Sequence, residues 1–431
     1  MSTPQYTATG APAAFAEPQR AVTGRWITAF AAAWLGVWMA QLGPFQVLLP
    51  LQVAAGTGID VEADAWIPAV LAFGAISGIA GACAIIAFPV TGFLSDRTTS
   101  KLGRRRPWII GGAVLFALAL VGLGFASDIV AVAVLWSLAI VGFCVLASSL
   151  TALISDLVPV RQRGFVSGWM SAPQAVGIIL GVLIITELFR SEMLPGYLTM
   201  AVGLLILVVP IVLFTQEIPI TREQRPESSF SALLRGLWIS PRKHPDFAWT
   251  LTSRVLVNTG NALGTGLLLY YLAFGLGIGI ADADDALLPL IVVYLICVVI
   301  SALAVGYLSD RLARRKIFVI WGSLAQAVAA FVLVFAPSYE AVFVAGGLLG
   351  LGYGAFLAVD QALATQVLPD PQDRGKDLGI MNVAFQVPQA LAPLLGAVVV
   401  ASFDGFRGVF MLSALAAILG AVVVSLVRDV K

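Results

Sequence analysis

Charged residues are scarce in this chain of 431 residues. Only 11% of the residues are Asp, Glu, Lys or Arg, against roughly 25% in an ordinary soluble domain, while 59% are apolar and the mean hydropathy is +0.96. A water-soluble globule of this size needs more polar surface, so soluble enzymes, nucleic-acid-binding proteins and disordered scaffolds fit this composition poorly. The formal net charge of +1 indicates no polyanionic partner. The composition is typical of a chain surrounded by lipid.

Residue types that carry catalysis and metal binding are also rare. The single histidine, His244, lies in the longest polar stretch, where we interpret it as a loop residue. The three cysteines, Cys83, Cys144 and Cys297, lie in apolar stretches without metal-ligand or paired spacing, so we expect them to be packing residues. The sequence contains no Walker-type Gly-x-x-x-x-Gly-Lys-Ser/Thr segment for ATP hydrolysis. We therefore expect no enzyme activity, no catalytic or metal-binding residues and no cofactor.

Long apolar runs make up most of the sequence. A bilayer core about 30 Å thick needs about 20 helical residues to cross it, and twelve runs of roughly this length are present. The first six cover 27–53, 67–94, 108–127, 129–157, 165–188 and 197–215. The second six cover 247–276, 286–308, 317–336, 339–368, 378–402 and 406–427. The sequence therefore predicts an all-α membrane protein with twelve transmembrane helices, numbered here in chain order.

The runs divide the chain into four segments. Residues 1–26 are predicted to be a disordered tail, because residues 1–20 are rich in Ala, Thr and Pro and lack the apolar stretch of a signal peptide. Residues 27–216 form the predicted N-terminal six-helix half and 247–428 the C-terminal one. Between them, 217–246 carries charges of both signs and is predicted to be a cytoplasmic linker.

The distribution of charge predicts the orientation. If both termini face the cytoplasm, 22 of the 25 Lys and Arg residues lie on the cytoplasmic side, Arg190 and Arg407 lie outside, and Arg254 lies in the membrane. The outer side is acidic, because two of its predicted loops hold Asp60, Glu62, Asp64, Asp282, Asp284 and Asp285. We therefore predict a multi-pass protein of the cell (plasma) membrane with both termini cytoplasmic.

The chain repeats itself at a nearly constant spacing. Gly92-Phe-Leu-Ser-Asp96-Arg97 follows helix 2, and Gly306-Tyr-Leu-Ser-Asp310-Arg311 follows helix 8, 214 residues later. Arg163-Gly164 after helix 4 recurs as Arg374-Gly375 after helix 10, 211 residues later. Two matches at nearly one offset predict two parallel six-helix halves, the architecture of a transporter that rocks about a site near the membrane midplane.

These loops resemble a known family. The segment Gly92-Phe-Leu-Ser-Asp96-Arg97-Thr-Thr-Ser-Lys101-Leu-Gly103-Arg104-Arg105-Arg106-Pro107-Trp108 resembles the loop between helices 2 and 3 of the major facilitator superfamily. Its wide spacing is similar to that of plant sucrose transporters and their animal and bacterial relatives, near the glycoside-pentoside-hexuronide symporters. The second copy, Asp310-Arg311-Leu-Ala-Arg314-Arg315-Lys316, keeps the shorter superfamily spacing, with Ala313 where Gly is usual. The resemblance implies twelve helices in two parallel halves and secondary active transport.

The same loops contain candidates for a conformational latch. An Asp at the end of one helix can accept hydrogen bonds from a neighbouring helix N-terminus, while adjacent arginines pair with carboxylates across the half. The candidate latch residues are Gly92, Asp96, Arg97, Gly103, Arg104 and Arg105 in the first copy and Asp310, Arg311 and Arg314 in the second. The alternative is that the basic residues only keep the loop on the cytoplasmic side.

Two departures from the resemblance concern ion coupling. Plant sucrose transporters carry a carboxylate inside helix 4, but the family spacing places Ile140 at this position. The melibiose-type sodium symporters carry acidic residues within helix 2, whereas 67–94 contains none. Sodium coupling through that site is not expected, and a proton site must lie elsewhere.

Two ionisable residues are predicted well inside the hydrocarbon, Arg254 in helix 7 and Asp360 in helix 10. A charge there costs at least a few kcal/mol, so such residues usually face a cavity or a partner. Both lie roughly 10–14 Å from the cytoplasmic end, at a height where they could meet. We hypothesise that Asp360 binds the coupling proton and that its neutralisation frees Arg254 and lets the loaded carrier reorient. The alternatives are a permanent ion pair that fixes helix packing and an Arg254 that extends to the cytoplasm alone.

Neutral polar and aromatic residues form stripes on several helices. Arg254, Asn258 and Asn261, for example, share one face of helix 7. The candidate substrate-binding residues are Trp38, Gln41, Asn258, Asn261, Tyr353, Asn382 and Gln386. Amides donate and accept hydrogen bonds, and aromatic rings stack on the C–H faces of sugars, so this set suits a neutral polyhydroxylated ligand. For each residue the alternative is a hydrogen bond from helix to helix.

The sequence therefore predicts proton-coupled symport of a sugar or glycoside, such as sucrose or maltose, by alternating access. The expected partners are a neutral small-molecule sugar, protons and membrane lipid, with no nucleic acid and no obligate protein partner. One alternative is a proton-coupled antiporter that exports an apolar or drug-like compound, which should have few amides in its cavity. A non-transporting membrane receptor or scaffold is the alternative of another class, and the duplicated loops and buried charges argue against it.

Overall fold

The computed structural model describes residues 18–56, 66–217, 219–221, 242–312, 314–366 and 374–427, and this part of the chain is helical without any strand. The first six segments are α1 (Gly24–Gln46, continued by Leu48–Gly56), α2 (Ile67–Asp96), α3 (Arg106–Phe125), α4 (Ile129–Leu157), α5 (Val160–Leu183) and α6 (Met193–Phe214). The second six are α7 (Pro245–Gly266, continued by Leu268–Tyr270), α8 (Ile280–Leu312), α9 (Arg315–Phe335), α10 (Tyr339–Gln366), α11 (Arg374–Phe403) and α12 (Arg407–Ser425). Nine helices of the described residues are long and apolar enough to cross a membrane. The predicted all-α fold class with twelve transmembrane segments is confirmed.

Capping side chains fix some of the helix ends. The Thr23 hydroxyl accepts a hydrogen bond from the backbone N–H of Trp26 at 3.3 Å, where α1 begins. The Asp128 carboxylate accepts from the backbone N–H groups of Val130 and Ala131, at 3.1 and 3.0 Å, where α4 begins. Each cap satisfies an amide that the first helical turn leaves without a partner. The predicted bounds of helix 4 therefore agree with those of α4.

The helix α8 begins earlier than the sequence predicted. We expected helix 8 from residue 286, with Asp282, Asp284 and Asp285 in the preceding loop, but the structure places all three carboxylates in the first turns of α8. The loop assignment was wrong because negative side chains are favourable at a helix N-terminus, where they meet the positive end of the helix dipole. The other predicted outer carboxylates, Asp60, Glu62 and Asp64, lie outside the described residues.

The chain forms two compact units. Unit 1 comprises Met1–Gln52 and Ile79–Leu233, and unit 2 comprises Val53–Gly78 and Leu234–Lys431. In unit 1, α1 packs on α5 and α6, and α3 packs on α4 and α6. In unit 2, α7 packs on α11 and α12, and α9 packs on α10 and α12. The two patterns are the same, six helices apart, as a duplicated chain requires. The segment boundaries at 27–216 and 247–428 stay a prediction.

Glycines lie at one helix crossing of each unit. In unit 1, a Cβ atom at Gly112 or Gly142 would lie 2.6 Å from a backbone nitrogen of the facing helix. In unit 2, a Cβ atom at Gly322 would lie 2.6 Å from the carbonyl oxygen of Gly352. Only glycine allows α3 to approach α4, and α9 to approach α10, this closely. The two glycine pairs are 210 residues apart, which gives the repeat a residue-by-residue register.

Candidate functional site

The two predicted membrane charges form an ion pair in unit 2. Arg254 on α7 and Asp360 on α10 are joined by a distance of 3.0 Å between Nη2 and Oδ2. Their side chains are 4% and 5% exposed. The structure thus brings together the two residues that the sequence singled out, and Arg254 is paired with Asp360 in the interior. Their part in coupling stays a prediction.

The guanidinium group also lies over an aromatic ring. Arg254 Cζ is 5.7 Å from the ring centroid of Phe385 on α11, within the range of a cation–π interaction. One turn further along α7, Asn258 Nδ2 donates a hydrogen bond of 2.8 Å to the backbone carbonyl of Arg254. Three helices therefore meet at this ion pair.

Hydrogen bonds extend from the ion pair along α7. Tyr353 Oη on α10 donates to Asn258 Oδ1 at 3.0 Å and accepts from Gln389 Nε2 on α11 at 3.3 Å. Asn261 Nδ2 donates to Tyr294 Oη on α8 at 3.0 Å. The candidate substrate residues Asn258, Asn261 and Tyr353 therefore bond from helix to helix, the alternative that the sequence left open. The sequence interpretation missed Tyr294, whose only signal was a hydroxyl in an apolar run.

The candidate substrate residues of unit 1 lie on α1. Trp38 is 8% exposed, donates from Nε1 to the Met170 carbonyl at 3.2 Å, and stacks on Trp34 with ring centroids 5.6 Å apart. Two polar atoms on the same face of α1, Trp34 Nε1 and Gln41 Oε1, are buried and have no hydrogen-bond partner in the described part of the chain. An unused donor and an unused acceptor thus flank the indole of Trp38 on one helix face. The remaining candidates, Asn382 and Gln386, belong to α11, and their side chains lie outside the described residues.

The first copy of the repeated loop forms a charge cluster in unit 1. Arg105 pairs with Asp96 at the end of α2 and with Asp156 near the end of α4, the latter at 2.8 Å between Nε and Oδ2. Arg104 Nη2 lies 3.2 Å from the same Asp156 oxygen. Burial tends to lower the pKa of Arg105, but the nearby carboxylates more than offset this and raise it. Arginines of this loop therefore do pair with carboxylates of neighbouring helices.

A further carboxylate, Glu217, joins this cluster and was missed in the sequence. It follows α6 and accepts hydrogen bonds of 3.0 Å from the backbone N–H groups of Arg105 and Arg106, where α3 begins. Burial raises the pKa of the Glu217 carboxyl, and these hydrogen bonds lower it by less. Gly103 has φ +100°, and a Cβ atom there would overlap the Glu217 side chain. The loop therefore needs glycine at this position, both for its backbone conformation and for the approach of Glu217.

The other latch candidates have less defined surroundings. Arg97 Cζ lies 3.9 Å from the ring centroid of Phe93. A Cβ atom at Gly92 would meet only Ser148 Oγ, at 3.9 Å, so packing within unit 1 does not require glycine there. In the second copy, Arg311 and Arg314 are exposed, and the Asp310 side chain lies outside the described residues. The assignment of these residues to a latch stays a prediction.

Comparisons with known proteins are consistent with this architecture. The chain is 36% identical over 112 residues to a probable 4-methylmuconolactone transporter of Cupriavidus pinatubonensis, which covers 25% of each chain. It is 31% identical over 140 residues to a sucrose transport protein of Arabidopsis thaliana, covering 27% of this chain and 25% of the relative. The chain thus spans about a quarter of the length of these relatives.

A solved structure and a family profile cover far more of the chain. A POT family transporter in complex with a thioalcohol-conjugated peptide has a TM-score of 0.72 at 13% identity, covering 95% of this chain and 97% of that one, which shows the fold alone. The sequence profile of the Major Facilitator Superfamily matches residues 26–293 and 280–431. The chain therefore belongs to the Major Facilitator Superfamily of transporters.

Proposed function

We propose that this protein is a proton-coupled symporter that takes up a neutral sugar or glycoside, such as a disaccharide, by alternating access. The observation that carries the proposal is the buried ion pair of Arg254 and Asp360. A lone carboxylate at membrane depth is costly when charged and becomes neutral by binding one proton. Such a group is suited to load and release a proton on opposite sides of the membrane.

The ion pair supplies a switch between two charge states. With Asp360 ionised, its attraction to Arg254 holds α7 and α10 together. With Asp360 protonated, that attraction is lost, and the helices become free to move relative to each other. In a symporter, substrate binding and protonation would occur together before reorientation, so that neither solute crosses alone.

The face of α1 supports a neutral sugar as the substrate. Sugar hydroxyls both donate and accept, and Trp34 Nε1 and Gln41 Oε1 offer one unused donor and one unused acceptor. The indole of Trp38 lies between them and could stack on a sugar ring. The named sucrose transport protein among the relatives points to the same class of substrate.

The charge cluster of unit 1 supports a second, conformational role. Arg104 and Arg105 join the ends of α2, α3 and α4, and Glu217 ties the end of α6 to the start of α3. We place this cluster on the cytoplasmic side of the plasma membrane, with both termini, because Lys and Arg are enriched there. There it would hold one state of the transport cycle.

The test is uptake into proteoliposomes with an imposed pH gradient. A panel of labelled mono- and disaccharides should include one that accumulates saturably in the wild type and collapses to equilibrium when the gradient is dissipated. Asp360→Asn should lose accumulation and retain exchange of the same sugar. Accumulation by this variant would refute coupling through Asp360. If no sugar of the panel accumulates, export of an apolar compound is favoured instead.

A second candidate substrate is a small organic acid. The probable 4-methylmuconolactone transporter is 36% identical to this chain over 112 residues. One arginine in the membrane could pair with one carboxylate of such a ligand. A carboxylated lactone therefore belongs in the same panel, and its accumulation in place of the sugars would establish this candidate.

A further inference from the structure

The proposed proton step changes the surroundings of Arg254. A guanidinium group is not deprotonated in proteins, so Arg254 keeps its charge when Asp360 becomes neutral. The Arg254 side chain is 4% exposed, and a buried cation whose carboxylate has been neutralised is unfavourable. A group that interacts favourably with the guanidinium when Asp360 is neutral therefore favours the protonated form of Asp360.

The ionisable groups around the pair come from several helices. Tyr353 on α10 and Tyr294 on α8 are the titratable side chains nearest to it along the hydrogen-bonded network. The other charged side chains that the structure describes on the surrounding helices lie near helix ends: Asp246 on α7, Asp282, Asp284, Asp285 and Arg311 on α8, Arg315 and Lys316 on α9, Glu340 on α10 and Arg407 on α12. Among the described side chains of α11, Phe385 and Gln389 face this region.

Phe385 presents its ring to the guanidinium group. The Cζ-to-centroid distance of 5.7 Å lies inside the limit of about 6 Å for a cation–π interaction, which is strongest where water is excluded. Phe385 also packs against the buried cluster that contains Tyr353 and Met381, and this packing restrains its ring. The ring is therefore a second partner within reach of the Arg254 guanidinium.

The neighbouring turn of α11 connects this ring to the rest of the network. Gln389, four residues after Phe385, donates to Tyr353 Oη, which in turn donates to Asn258. Phe385 and Gln389 therefore lie on one face of α11 and contact α7 and α10 together. A shift of Arg254 toward Phe385 would therefore directly change the contact between α7 and α11.

We propose that Phe385 is the second resting place of the Arg254 guanidinium and thereby a positioning residue for the proton step. With Asp360 ionised, Arg254 pairs with the carboxylate. With Asp360 protonated, the guanidinium moves closer to the Phe385 ring than the 5.7 Å seen in the ion-paired state, so the ring contact strengthens and stabilises the protonated state. This inference rests on the proposed proton coupling through Asp360.

The first test is the pH profile of sugar uptake in proteoliposomes. Phe385→Leu removes the ring, so the protonated state loses stabilisation and the midpoint of the profile should move to lower pH by about 0.5–1 unit, the shift expected from a cation–π interaction. Phe385→Trp keeps a ring face and should hold the midpoint near that of the wild type. Phe318→Leu is the matched control, because Phe318 is partly buried against the same cluster and should leave the midpoint unchanged.

The second test needs neither a known substrate nor transport. In Asp360→Asn the carboxylate is permanently neutral, so Arg254 should depend on Phe385 at every pH. Phe385→Leu should therefore lower the thermal unfolding midpoint more in the Asp360→Asn background than in the wild type. Phe318→Leu should lower it equally in both backgrounds. Phe385→Met also removes the ring and replaces the Leu variant in this test if that variant does not insert into the membrane.

The outcomes separate this inference from the proposed function. Equal effects of Phe385→Leu in both backgrounds, together with an unchanged pH midpoint, would overturn the role of Phe385 while leaving Asp360 as the proton site. Gradient-driven accumulation by Asp360→Asn would overturn both. A midpoint shift with Leu and Met, but not with Trp, supports the inference.

Discussion

Units 1 and 2 share one packing pattern but hold their ion pairs at different places. In unit 1, Arg104 and Arg105 pair with carboxylates where helices end. In unit 2, Arg254 and Asp360 pair within the helices, at side-chain exposures of 4% and 5%. The carboxylates of unit 1 are partly exposed, Asp96 to 50% and Asp156 to 16%, so water reaches those pairs, whereas both partners of the unit 2 pair are buried. One unit is therefore suited to conformational control and the other to ion coupling.

The register of 210 residues shows where the two units diverge. Leu150, fully buried in α4, corresponds to Asp360 in α10. Six residues later the difference is reversed: unit 1 carries the carboxylate, Asp156, and unit 2 carries Gln366 at the corresponding position. The glycine crossings are retained while the carboxylates are placed at different heights. The duplicated scaffold thus tolerates a charge at either height, provided that the same unit supplies an arginine.

The largest expected effect comes from giving unit 2 the residue of unit 1. Asp360→Leu leaves the buried Arg254 without its carboxylate, so we expect the free energy of unfolding in detergent to fall by about 3–5 kcal/mol. The double variant Arg254→Leu, Asp360→Leu should recover most of this loss and still lack proton-driven accumulation. Calorimetric or fluorescence-monitored unfolding measures both. A loss below about 1 kcal/mol in the single variant would contradict a buried pair.

Glycine substitutions in the unit 1 loop should have the next largest effect. Gly103→Ala forces a Cβ atom into a backbone with φ +100° and against Glu217, so we expect a loss of about 1–3 kcal/mol. Gly92→Ala is the matched control: it lies inside α2 with open space, so the helix preference for alanine should leave stability unchanged or slightly higher. Equal effects at the two positions would show that the approach of Glu217 is not maintained.

The next two variants compare the carboxylate position near the end of α4 with the corresponding position of α10. Asp156→Asn weakens contacts to both Arg104 and Arg105, so we expect a loss of about 1–2 kcal/mol and slower uptake. Gln366→Asp, at the corresponding position of unit 2, should change stability by less than about 0.5 kcal/mol. Thermal unfolding and initial rates, measured on the same preparations, test both. A larger effect at position 366 would reverse the assignment of roles.

A pH dependence of Glu217 should give the smallest effect. Because burial raises the pKa of Glu217, the folded protein binds its proton more tightly than the unfolded chain does. Between the ordinary carboxyl pKa and this raised value, stability should therefore rise as the pH falls. Glu217→Gln removes this contribution, so the wild type should gain stability relative to the variant on acidification. Parallel pH profiles of the two unfolding midpoints would contradict it.

The sequence predicted the helices and the similar heights of Arg254 and Asp360 because both depend on local or simple physical rules. Twelve apolar runs of bilayer length predict twelve transmembrane helices directly. The heights of Arg254 and Asp360 follow from counting residues along those helices. The acidic start of α8 was predicted as a loop, since hydropathy alone treats Asp282 as an end rather than as a favourable first-turn residue.

The parts that could not be predicted depend on contacts between distant segments. Glu217 reaches the start of α3 across more than a hundred residues, and no local pattern distinguishes it from a linker carboxylate. Phe385 looks like any apolar residue of α11 until Arg254 is placed beneath its ring. Asn258 and Tyr353 were predicted to bind substrate, which stays a prediction; their mutual hydrogen bond could not be predicted because it requires the packing of α7 on α10.

The most direct test of the account measures proton movement itself. Proteoliposomes without an imposed gradient, suspended in weakly buffered medium with a pH indicator, should show alkalinisation of the medium when the transported sugar is added to the wild type. Asp360→Asn should take up the sugar to equilibrium with no change in external pH. Sugar-dependent alkalinisation by Asp360→Asn at the wild-type rate would contradict the assignment of the coupling proton to the ion pair of unit 2.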